Sequence, residues 1–142
     1  MSLLGASLLR PVIALNIWTF SMEAWMYATR IPGISKYCGE VTPYNAQQEM
    51  DKLPPQIKWK ADNYNHLFEQ PTQFYAIAIT LALLGAGDDD LTTGLAWTYV
   101  GMRVAHSFVQ STTNTIMVRF GIFACSSFVL LGMTAKAATL AF

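Results

Sequence analysis

Four stretches of this 142-residue chain are each long and apolar enough to be a membrane helix, and nothing else in the sequence constrains the fold as much. A bilayer core is about 30 Å thick and needs about 20 mostly apolar residues per helix. The stretches run approximately over residues 8–28, 67–86, 91–111 and 115–140. In lipid a backbone must satisfy its own N–H and C=O groups, so runs of this length read as helices and not as open strands. Composition points the same way. The chain is 53% hydrophobic and 13% charged, whereas a soluble domain carries about 25% charged residues. The expected fold class is all-α, an integral membrane four-helix bundle in one domain over residues 1–142. The first run has no positive charge before Arg10 and no small-residue cleavage site, so it reads as a retained helix and not as a leader.

The connections between runs are unequal. The first, residues 29–65, is long and holds Arg30, Lys36, Lys52, Lys58, Lys60 and the Pro54-Pro55 pair. The second is the acidic turn Gly87-Asp88-Asp89-Asp90, read as a solvated turn. The third is Ser111-Thr112-Thr113-Asn114. Short connections make successive helices antiparallel neighbours. Basic residues concentrate on the cytoplasmic side of membrane proteins, so the first and third loops are expected in the cytoplasm. Both termini and the acidic turn then face the other compartment. Net charge is zero and no basic run occurs, which argues against a nucleic-acid partner. Cys38 sits in a polar loop and Cys125 in an apolar run, a spacing that suggests neither a bridge nor a metal site. No metal is expected.

Each apolar run carries one polar stripe at helical spacing. Asn16, Thr19, Glu23, Tyr27 and Arg30 share a face of the first run. Asp62, His66, Glu69 and Gln73 do so at the start of the second. Arg103, His106, Gln110 and Asn114 line the third, and Arg119, Phe123 and Ser126 the fourth. A charge at mid-membrane costs about 2.5 kcal/mol or more and normally faces a partner or a wet cavity. The stripes are therefore expected to meet inside a bundle or between subunits. Arg30, Glu69, Gln110 and Arg119 all fall near the cytoplasmic ends of their runs, with His106 about one turn deeper than Gln110, roughly 6 Å at 1.5 Å per residue. Such a set suits a small zwitterionic or anionic ligand. The bland reading is interhelical hydrogen bonding, about 0.6 kcal/mol per bond. Glu23 and Arg103 read as a structural pair of that kind. Arg119 and Glu69 are open to either reading, His106 alone resembles a core histidine, and His66 reads equally as an interfacial residue. Gly121, Ala124, Cys125, Gly132 and Ala135 read as helix-packing surface.

Two stretches carry a family likeness. The run Asn65-His66-Leu67-Phe68-Glu69-Gln70-Pro71, continuing to Phe74-Tyr75, resembles the second-helix motif of the MAPEG family, membrane-associated proteins in eicosanoid and glutathione metabolism. Arg103-Val104-Ala105-His106 followed by Arg119 resembles that family's third-helix Arg-x-x-His and the Arg that opens its fourth helix. The resemblance spans nearly the whole chain. It implies a homotrimer that holds glutathione as cosubstrate between neighbouring subunits. It also implies Arg119 as the catalytic residue that stabilises the glutathione thiolate, with Arg30, Glu69, His106, Gln110 and His66 as binding residues. Glu69 would accept from the peptide's ammonium. The sequence departs from the family's pattern at several places. His66 stands where the family has Asn, Asp62 and Asn65 where it has Arg, and Gln110 and Phe123 where it has Tyr.

The function these observations imply is a glutathione-dependent transferase or peroxidase, with a hydrophobic small-molecule electrophile presented from the lipid bilayer. The alternative is a non-catalytic structural or accessory membrane subunit, or a lipid-binding module. A small transporter is disfavoured by the absence of broken helices or inverted repeats.

Overall fold

The structure, a computed structural model, describes residues 6–142. Along the chain it forms α1 (Ala6–Tyr37), α2 (Ala46–Asp51), α3 (Pro55–His66), α4 (Gln70–Leu81) continued by a π-helical turn (Ala82–Ala86), α5 (Asp90–Thr112) and α6 (Ile116–Ala141), with no strand among the described residues. α5 and α6 begin and end within one residue of the third and fourth apolar runs. The first helix is longer than its run and continues nine residues past Ala28. Once a helix is nucleated, each further residue adds a hydrogen bond, and lipid is not needed for that.

The long first connection is largely helical. Residues 38–54 wind around Glu49, whose carboxylate accepts from Lys52 Nζ at 2.6 Å and from the Gly39 N–H at 2.7 Å. The Lys52 ammonium and the Gly39 amide hold this carboxyl below the ordinary range. Pro55 then opens α3, a position where its missing N–H costs nothing. α3 lies close along α1. A Cβ on Gly33 would come within 2.7 Å of Ile57 Cδ1, so a larger residue there would displace the end of the Ile57 side chain.

The second apolar run is not one helix. Pro71 has no N–H to donate to the Leu67 carbonyl, so the ladder breaks and residues 67–69 form a turn between α3 and α4. Asp62 and His66 therefore belong to a different helix from Gln73. At the far end of α4, Gly85 sits at φ 84°, ψ 6° inside the π-helical turn. Only glycine adopts that conformation freely, and it ends the helix.

Helix directions follow from the contacts at one end. The Leu8 N–H donates to the Gly87 carbonyl at 3.0 Å, and Lys136 Nζ donates to Asp89 Oδ2 at 2.5 Å. The start of α1, the end of the π-helical turn, the start of α5 and the end of α6 thus share an end. The α3–α4 break, the end of α5 and the start of α6 share the other. Between them lies a core of Leu15, Phe74, Ala78, Leu81, Ala96, Leu130 and Met133, with the Phe74 and Tyr99 rings stacked at 4.5 Å.

The outer surface is apolar. Phe20, Ile31, Leu83, Phe120, Phe128 and Leu131 are each more than 60% exposed, whereas Arg103, His106 and Gln110 are 3% exposed or less. By length and composition only α6, among the described helices, qualifies as a membrane span, with mean hydropathy 1.9. Averaging over a helix hides which face holds the polar groups, and in α5 they lie on the buried face. Four spans are not established on that measure. Gly121, Cys125, Gly132 and Ala135 lie exposed on α6, so within one chain they do not form the packing surface read from the sequence.

Candidate functional site

A polar knot centred on Gln70 occupies the interior where the second, third and fourth runs meet. The first residue of α4 projects its amide between α5 and α6. Its Oε1 accepts from Ser126 Oγ at 3.2 Å, Arg103 Nη1 at 3.4 Å and Tyr99 Oη at 3.4 Å, and its Nε2 donates to Ser127 Oγ at 2.6 Å. Arg103 Nη2 also donates to the His66 carbonyl at 3.3 Å. That carbonyl belongs to the last turn of α3, where orphan C=O groups and the negative end of the helix dipole favour a cation. The expected Glu23–Arg103 pair does not form. Arg103 turns to the α3–α4 break, and Glu23 lies against Tyr64. Helical spacing shows which residues share a face, but not the depth at which two helices meet.

One layer out, His66, His106 and Arg119 line an open cavity of about 240 Å³ walled by Ile116, Phe120 and Phe123. The imidazoles lie 4.9 Å apart between ring centroids, and the Phe123 ring is 5.7 Å from His66. The α3–α4 turn brings Glu69 back onto His66, whose Nδ1–H donates to Glu69 Oε2 at 2.5 Å. A carboxylate only accepts, so it is Nδ1 that carries the proton in this contact. Arg119 opens α6. Its Nη1 donates to Asn114 Oδ1 at 2.5 Å, while its Nε is buried without a partner among the described residues. Asn114 has φ 51°, a left-handed conformation that asparagine tolerates, and the turn it makes aims its amide at Arg119.

Gln110 lies one turn beyond His106, 3% exposed, and its Oε1 has no partner among the described residues. Ser107 and Ser111 on the same helix and Asn63 on α3 are also buried with unpartnered polar atoms. Native interiors leave few such groups. Arg30 is elsewhere. It lines a separate cavity of about 200 Å³ between α1, α2 and α3, with Asp62, Asn65, Asp51 and Lys58. Of the residues singled out from the sequence, one chain therefore gathers His66, Glu69, His106 and Arg119, sets Gln110 just behind them, and leaves Arg30 apart. Gln70 joins three helices, although its place in the Asn65–Pro71 motif gives no hint of that role. An amide before proline reads as a helix start and carries no sign of its long-range partners.

The arrangement offers a cation with spare donors, two imidazoles and apolar walls. That combination suits a small anion with a hydrophobic companion. Neither the curated proteins nor the solved structures include a match to this chain. The sequence model of the MAPEG family matches residues 8–139, nearly the whole length, and the chain belongs to the MAPEG family.

Proposed function

We propose that the protein is a glutathione-dependent transferase or peroxidase of four membrane-spanning helices, assembled as a homotrimer and acting on hydrophobic electrophiles taken from the bilayer. The observation that carries this reading is Arg119, a guanidinium with a buried unpartnered Nε on an apolar-walled cavity beside two histidines. These groups fit the sulfur end of a thiol peptide. A cation within a few Å favours the ionised thiol, and the thiolate is the nucleophile. Phe120, Phe123 and Ile116 supply an apolar wall for the electrophile. Glu69 Oε1 remains to accept from the peptide's ammonium while Oε2 is engaged by His66. Arg30 lies too far round the chain to join this cavity alone. It would complete the site from a neighbouring copy, in keeping with a ligand held between subunits.

The membrane reading draws support from the inverted surface, with large apolar side chains outside and Arg103, His106 and Gln110 inside. The basic first loop is assigned to the cytoplasm. A Lys52→Cys variant is expected to react with an impermeant thiol reagent only from the cytoplasmic side, and labelling from the other side would reverse the assignment.

A second reading, a non-catalytic accessory subunit, is favoured by Phe123 and Gln110, which bring no hydroxyl to the cavity. The purified protein separates the two. Trimer mass in mild detergent, saturable glutathione binding and a conjugate of the expected mass with an apolar electrophile support the enzyme. No binding at millimolar glutathione leaves the accessory role.

A further inference from the structure

The contact between His66 and Glu69 has the form of a carboxylate-oriented base, and from it we infer that His66 takes the proton from the bound thiol, with Glu69 as its positioning residue. The inference rests on the thiol-binding reading above and adds a second catalytic group to it. Arg119 favours the charge on sulfur, but a guanidinium already fully protonated cannot accept a proton. Something else must receive it. His66 and Arg119 line one cavity, so the base and the cation face the same small volume. The Nδ1–H···Oε2 contact at 2.5 Å fixes the tautomer and leaves the Nε2 lone pair as the acceptor. The same carboxylate stabilises the imidazolium that forms. His66 is 19% exposed at its side chain and Glu69 66% exposed, so the proton also exchanges with water between turnovers.

The charged and titratable neighbours of the ring are Glu69 on its own turn, Arg103 and His106 from α5 and Arg119 from α6. His106 is a weaker candidate for the same task. It is 2% exposed, and among the described residues no carboxylate is bonded to its ring.

The step balances with an activated alkene, an α,β-unsaturated carbonyl carried in lipid. His66 Nε2 takes the S–H proton, and the bonding pair stays on sulfur. The thiolate attacks the β-carbon, the C–S bond forms, and the alkene π pair moves onto the carbonyl oxygen as an enolate. The imidazolium then returns its proton to the α-carbon. The product is the saturated thioether, and nothing is oxidised or reduced.

The test uses the full-length protein in detergent with glutathione and such an alkene, comparing wild type with His66→Asn, His66→Ala and Glu69→Gln. In wild type the conjugation rate is expected to fall on the acid side with the ionisation of one group. The ligand-free protein is expected to show, by nitrogen NMR of the histidine rings, one imidazole locked with its proton on Nδ1, a signature weakened in Glu69→Gln, whose amide oxygen still accepts but carries no charge. His66→Asn is expected to lower turnover about 100-fold or more, as for a general base, with little change in glutathione affinity, and to move the acid limb. Added imidazole is expected to restore rate to His66→Ala, and to leave Arg119→Ala inactive. A turnover within twofold of wild type with an unmoved acid limb in His66→Asn overturns the inference, while conjugation by the wild type keeps the thiol-binding reading intact. Loss of rate that imidazole does not restore, accompanied by weaker glutathione binding, makes His66 a binding group and also overturns it. If wild type forms no conjugate at all, the underlying reading fails first.

Discussion

The two ends of the bundle differ in how fully their buried polar groups are paired. At the end where α1 and α5 begin, the charged groups and the helix cap are paired, and Thr93 Oγ1 is the one buried side-chain atom without a partner among the described residues there. Asp89 caps α5, accepting from the Thr92 N–H at 2.8 Å and Thr92 Oγ1 at 2.6 Å, and also binds Lys136 at 2.5 Å. The Leu8 N–H meets the Gly87 carbonyl. At the other end, Arg119 Nε, Gln110 Oε1, Ser107 Oγ, Ser111 Oγ and both amide atoms of Asn63 are buried and unpartnered among the described residues. Leaving a buried polar group unsatisfied costs about 1–3 kcal/mol, so the second end is the expensive one in an isolated chain. A ligand or a second copy that supplies partners there recovers that cost. The paired end holds the helices in register, and the unpaired end is where binding is to be sought.

Breaking the boundary between the two ends is expected to have the largest effect on stability. Gln70→Leu removes four hydrogen bonds that join α4 to α5 and α6, worth roughly 2 kcal/mol at about 0.6 kcal/mol per bond in a membrane protein. Thermal unfolding in detergent measures the loss. Gln70→Glu retains the acceptor for Arg103 and is expected to lose much less. Equal losses for the two variants would show that the side chain's volume, and not its bonds, holds the junction.

At the paired end the effect is smaller and depends on pH. The Lys136 ammonium and the two Thr92 donors hold the Asp89 carboxyl well below the usual carboxylate range. A folded-state pKa depressed in this way adds stability above the unfolded value, and that stability is lost as pH falls through the folded one. Asp89→Asn keeps a capping oxygen and removes the charge. Its melting midpoint is expected to lie a few degrees below wild type at neutral pH, with the two curves converging under strong acid. A constant offset across that range would place the contribution in the cap and not in the ion pair.

The same contrast explains what the sequence revealed. α5 and α6 were legible because an acidic turn and a Ser-Thr-Thr-Asn turn punctuate continuous apolar runs. α2 and α3 were hidden in the long connection, since their residues are polar and follow no apolar period. The break before Pro71 is marked by the proline, but the apolar run around it masks where the helix ends. At the site, His66 and Glu69 sit three residues apart, so their proximity is legible on any helical turn. The Gln70 junction and the misplaced Glu23–Arg103 pair depend on helix offsets that periodicity does not encode. Arg30 falls outside the cavity for the same reason, because its depth was readable and its azimuth was not.

Catalysis as proposed requires that Arg119 carry a thiolate. The direct measurement is the ultraviolet difference absorbance of the thiolate on titrating glutathione into the purified protein near neutral pH. A saturable thiolate signal is expected in wild type. In Arg119→Ala the thiolate fraction at the same occupancy is expected to be lower by roughly 8- to 30-fold at pH 7, since an adjacent cation shifts an acid by about 1–3 pKa units and an ordinary thiol of pKa about 8.5 is already about 3% ionised there. Glutathione that binds without thiolate absorbance, or a signal unchanged in Arg119→Ala, would contradict the claim and leave Arg119 a structural contact at the head of α6.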